Sequence, residues 1–110
     1  MLKSEKSTSF SELSIKDRML NGDIPLILEN LNSNNSLGIV LAIGALIKNH
    51  IRTYDTDNAL KKHKNNHSFE FSMNISELTY AALDILGIEP YIGDNKNILR
   101  IIDDKLSFLS

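Results

Sequence analysis

The chain has 110 residues, is 42% hydrophobic and 24% charged, and carries a formal charge of −2, the proportions of one globular domain around a single core. Zero cysteines exclude a disulfide framework and every thiolate metal site. The longest stretch without a polar side chain, Leu37 to Ile47, is far short of the roughly 20 residues that cross a bilayer as a helix, and residues 1–12 hold only Met1, Leu2 and Phe10 as large apolar residues, too few for a secretion signal, so a cytoplasmic location is expected.

Residues 1–9 read as a flexible leader of Lys, Ser, Glu and Thr, and residues 10–110 as a single α-helical domain. Ser9 and Glu12 form a capping-box pattern ahead of a short first helix with Leu13, Ile15, Met19 and Leu20, stopped by Gly22. Asp23 is an N-cap for a second helix, tolerant of Pro25 in its first turn, with Ile24, Ile27, Leu28 and Leu31 on one face and an end near Asn32. Turn residues follow, and Asn35 or Ser36 caps a third helix expected from about Leu37 to Tyr54. Its first three turns are apolar all round, as in a helix surrounded by neighbours. Gly38, Ala42, Gly44 and Ala45 would let those neighbours come close.

From about residue 55 to 68 the chain turns polar and basic, and the expectation is a short helical turn from Asp57 followed by an exposed loop. Phe69, Phe71, Met73 and Ile75 then alternate with polar residues, a period of two that reads as a strand. With no second alternating run to pair with it, the expectation is one extended segment near residues 68–74 that pins its aromatics onto the core. Asn74 and Glu77 open a fourth helix along Ile75, Leu78, Ala82 and Ile85, with Gly87 as its stop and Pro90 beyond. A last helix is expected from Asp94 to about Leu109, giving an all-α array of about five helices.

Two internal echoes stand out. Gly22-Asp23 recurs as Gly93-Asp94 at an offset of 71, and the helical stretches around Leu41 to Leu46 and Leu78 to Leu83 match at an offset of 37. Offsets near one period and its half point to stacked helical hairpins, units that bury their apolar faces against each other and commonly bind macromolecules.

Chemical motifs are few. No phosphate loop, nucleophile elbow or His-Glu-x-x-His pair is present, so an enzyme is not expected. His63 and His67 lie four apart, a helical spacing for one metal ion, but the Asn65-Asn66 pair between them and the lack of a nearby third ligand favour solvated loop histidines and no metal. Asp103 and Asp104 are adjacent, so on a helix they point about 100° apart and cannot flank one substrate atom. Charge is uneven: residues 1–47 sum to −1, residues 48–67 to +3 and residues 68–110 to −4. The acidic C-terminal part suits a basic partner, with Asp84, Glu89, Asp94, Asp103 and Asp104 around Tyr91 as the contact set. Lys61, Lys62 and Lys64 offer an alternative, a nucleic-acid contact. A homodimer through the Phe69–Phe71 strand edge is a third reading.

The residues from Asn21 to Ile51, with the run Asp23 to Leu31, a polar Asn/Ser turn and then an Ala/Gly/Leu-rich second helix, resemble a HEAT-type repeat, and the fourth helix onward looks like a second, incomplete unit. Together these cover about half the chain. The Asn-, Lys- and Ile-rich composition also resembles small α-helical bacterial immunity proteins, which implies a non-enzymatic module that neutralises a partner toxin, a basic toxin or nuclease for this acidic surface, without a cofactor.

Overall fold

The computed structural model describes residues 15–70 and 73–91, and over these the protein is all-α with one minute β-hairpin. Helix α1 occupies residues 15–20 of the described chain and buries Met19 and Leu20. It closes at Gly22 (φ +93°), where the Gly22 amide donates to Met19 O and the Asp23 amide to Arg18 O, the paired bonds that satisfy the last carbonyls of a helix ending in a left-handed residue. The Ser9–Glu12 cap lies outside the described residues.

Helix α2, Ile24–Leu31, starts as expected. The Asp23 carboxylate accepts from the Leu26 amide at 3.2 Å and from the Arg18 guanidinium at 3.0 and 3.1 Å. Helix α3, Ser36–Asn49, is capped by Asn35, whose side chain accepts from the Leu37 and Gly38 amides. Every residue from Gly38 to Leu46 is buried, so α3 is the axis of the core. Gly38 is a point of close approach to α2, because a Cβ there would collide with the Asn30 side chain.

Helix α3 ends five residues earlier than the pattern predicts. The Asn49 amide turns back to donate to Leu20 O (2.9 Å) and Ala45 O (3.1 Å), tying the end of α3 to the end of α1. His50 then adopts the left-handed conformation (φ 49°), and the Ile51 amide reaches Leu46 O at 2.9 Å. Ile51 packs on the core, the apolar contact that commonly accompanies this type of cap.

The segment expected to hold only a short helical turn from Asp57 and then an exposed loop is a two-turn helix and a 3-10 turn with a buried face. Helix α4, Tyr54–Lys61, runs into a 3-10 turn over Lys62–Asn65. Its start is a reciprocal box: the Thr56 amide donates to Thr53 Oγ1 and the Thr53 amide to Thr56 Oγ1. Buried Thr56, Ala59, Leu60 and His63 follow at the spacing of one helical face. That face is hard to see in the sequence because two of its four members are polar.

The alternating segment also departs from expectation. Strand β1, Phe69–Glu70, folds back antiparallel on strand β2, Met73–Asn74, pairing Phe69 with Asn74 and Glu70 with Met73. In a straight strand Phe69 and Met73 would share a face. The reversal instead leaves Phe69 66% exposed while Met73 is buried, so Phe69 is not pinned to the core; Phe71 lies outside the described residues.

Helix α5, Ile75–Ile85, is capped by the Asn74 side chain on the Glu77 amide. Gly87 (φ +76°) ends it through Gly87 N to Asp84 O and Ile88 N to Leu83 O, 3.0 and 2.8 Å. Shifting α3 by 37 residues places His50 on Gly87, Ile51 on Ile88 and Leu46 on Leu83, so the offset read from the sequence carries over to identical cap bonds. The Gly93-Asp94 copy and the helix expected from Asp94 lie outside the described residues.

One polar group in α5 has no partner among the described residues. Thr79 Oγ1 is fully buried without a hydrogen bond to any of them, and a solitary buried hydroxyl costs about 1–3 kcal/mol. Thr79→Val keeps the shape without the hydroxyl. It is expected to raise stability by about 1 kcal/mol in urea unfolding; a lower midpoint at unchanged slope would mean that the hydroxyl has a partner in solution.

Candidate partner-binding surface

The middle of the chain, from Asn49 to Lys64, supplies the side chains that finish three other helices. Asn49 serves Leu20 O of α1. His63 Nε2 donates at 2.6 Å to Leu31 O, the last carbonyl of α2. Arg52 Nη1 donates at 2.9 Å to Leu86 O, just past α5. Such carbonyls have no partner within their own helices and need one when they are shielded from water.

His63 is therefore not a solvated loop histidine. Since a carbonyl only accepts, Nε2 carries the proton, and Nδ1 is left to accept from the Asn66 amide at 3.1 Å. Asn66 is oriented in turn by the Ser68 amide, which donates to its Oδ1 at 3.1 Å. Both ring nitrogens are committed to protein groups. His67 is exposed, and among the described residues no group of three side chains is placed to hold a metal ion.

The end of α5 gathers the described part of the acidic set. Asp84, Gly87, Ile88, Glu89 and Pro90 line an open depression of about 250 Å³. The carboxylate-terminated wall lies where the last turn of α5 presents its carbonyls, the negative end of the helix dipole. Among the described residues the Asp84 carboxylate has no ion-pair or hydrogen-bond partner, whereas Glu89 holds Lys64 at 2.7 Å through Oε1 and 3.0 Å through Oε2. The Lys64 ammonium also sits 5.8 Å from the centre of the Tyr80 ring, within cation–π range. Tyr91 is half-buried against the core. Asp94, Asp103 and Asp104 lie outside the described residues.

The basic segment divides into separate roles. Arg52 grips both oxygens of Asp57 at 3.0–3.1 Å while reaching Leu86 O. Lys64 is engaged by Glu89 and His63 is buried. Of the three lysines considered for nucleic acid, Lys61 and Lys62 are exposed without an ion-pair partner among the described residues, and Lys64 faces a carboxylate. The Arg52 and Lys64 roles were hidden in the sequence, because both partners, Leu86 O and Glu89, are 34 and 25 residues away.

The architecture defines a small all-α protein with an acidic depression at one helix terminus. Among its described residues no helix is long and apolar enough to cross a membrane. No protein-family model, curated protein or solved structure matches the chain.

Proposed function

We propose that the protein is a non-enzymatic binding module of the immunity or antitoxin kind, built on HEAT-type hairpins, whose acidic surface at the end of α5 neutralises a basic partner protein. One observation carries the reading: the Asp84 carboxylate, without a partner among the described residues, lines an open depression at the negative end of α5. Ile88 and Pro90 add apolar area to the same depression, and a basic side chain laid across them would bury its stem while its charge meets Asp84. Asp94, Asp103 and Asp104 extend the acidic set in sequence.

The partner to examine first is the product of the reading frame immediately upstream. Calorimetry with that protein is expected to show binding by the wild-type chain and roughly tenfold or greater weakening by Asp84→Lys, as for a charge reversed within an interface. Equal affinity of the two would remove Asp84 from the surface, and absence of binding by the wild-type chain would remove the immunity reading.

A further inference from the structure

We infer that Lys64 is a built-in occupant of the partner's cation position, its ammonium holding Glu89 and the Tyr80 ring until a basic side chain of the partner displaces it. The inference rests on the acidic surface proposed above and adds how that surface is regulated.

The backbone and side chain of Lys64 are held very differently. Its carbonyl accepts from Ser76 Oγ of α5, and its residue belongs to the 3-10 turn that packs on α5, so the main chain is anchored. The ammonium is held by contacts that water can replace: side-chain exposure is 28% for Lys64 and 36% for Glu89. A half-exposed ion pair is weak and exchangeable, unlike a buried one whose separation would strand a charge. Rotation of the lysine stem alone would vacate the carboxylate, with the fold unchanged.

Glu89 also lines the depression beside Asp84. One carboxylate thus serves the internal lysine and the proposed surface, and with Lys64 on both of its oxygens the two uses compete. The geometry shows what the position accepts: an alkylammonium on both oxygens of Glu89 with an aromatic ring nearby. A partner's lysine meets the same groups, and a guanidinium matches the two carboxylate oxygens with two parallel donors. Because a cation that pairs with Glu89 must first displace Lys64 while Asp84 is open, isolated cations gain little at Glu89 and a partner that engages both carboxylates is favoured, a form of selectivity by competition.

Lys62 provides the control. It lies two residues away, is exposed, has no ion-pair partner among the described residues, and its loss changes the net charge by the same amount. The probe is a ten-residue lysine peptide, titrated at low salt into the wild-type chain, Lys64→Met and Lys62→Met. Lys64→Met, which keeps the stem near Tyr80, is expected to bind the peptide roughly three- to tenfold more tightly than Lys62→Met, the range of a half-exposed ion pair with a cation–π contact. Adding Glu89→Gln to Lys64→Met should return the affinity to the Lys62→Met level. Equal affinities of the two lysine variants overturn the role of Lys64 and leave the acidic surface standing. Failure of every variant to bind the peptide overturns the acidic surface itself.

Discussion

Leu60→Ala is expected to lower stability by about 2–5 kcal/mol, the cost of deleting most of a large side chain from a packed interior. Leu60 is completely buried and lies on α4, a largely polar helix whose buried face holds only Thr56, Ala59 and Leu60, continued by His63 in the 3-10 turn. As its largest aliphatic member, Leu60 is the main apolar anchor of α4 to α2 and α5, the helices it contacts. Were residues 55–68 an exposed loop, the same substitution would cost at most about 0.5 kcal/mol. Urea unfolding separates the two, and heat does so as well, since each kcal/mol moves the midpoint of a domain this size by about 4–8 °C. A midpoint within experimental error of the wild type would mean that α4 is not docked as described.

His63→Ala carries the second largest expected effect, a loss of about 2–3 kcal/mol. The substitution strips Leu31 O of its donor in a place where water has little access, and it leaves the Asn66 amide without its ring acceptor. The buried carbonyl so orphaned costs about 1–3 kcal/mol, and the half-buried Asn66 amide, which can turn to water, adds less. His63→Gln retains a donor at the end of a side chain of comparable reach and is expected to lose less than His63→Ala. If the two variants unfold at the same urea concentration, the hydrogen bond to α2 contributes nothing, and His63 matters only through the space it fills.

Both residues belong to the segment whose helical character is least visible in the sequence, and the cause is physical. Helix signals depend on apolar periodicity, and Thr56 and His63 occupy core positions as polar groups whose hydrogen-bond partners are supplied by Thr53 and by Leu31 O. A local clue did exist. Thr53-x-x-Thr56 has the spacing of a capping box, with threonine standing where glutamate or glutamine usually reciprocates. The long-range partner of His63, 32 residues upstream, left no mark in the sequence. The overlong third helix has a related origin: nothing in the residue type of His50 announces a left-handed cap, which glycine signals at the equivalent position 87.

The candidate site was legible in part. Asp84, Glu89 and Tyr91 stand out as acidic and aromatic residues just inside and beyond a well-marked helix, and the structure brings Asp84 and Glu89 to one depression. What the residues alone could not show is that Glu89 is shared with Lys64. Opposite charges 25 residues apart meet only if the intervening hairpin and α5 return the chain to the 3-10 turn.

By itself the sequence determined the all-α class, the caps at Asp23 and Asn74, the stops at Gly22 and Gly87, an enclosed helix within Leu37 to Ile47 and the 37-residue offset. These follow from local chemistry: a cap residue bonds amides two or three positions away, glycine tolerates positive φ, and a helix apolar on all sides must be enclosed. The structure chose Asn35 over Ser36 as the cap of the enclosed helix and narrowed its buried part to Gly38–Leu46. Tertiary structure alone decided that residues 54–65 form a docked helix and turn, that the aromatic segment reverses on itself, and that Asn49, Arg52 and His63 complete the ends of α1, α5 and α2. Those outcomes depend on pairing polar groups between distant parts of the chain, and a buried polar residue is recognisable as part of a core only once its partner is in place.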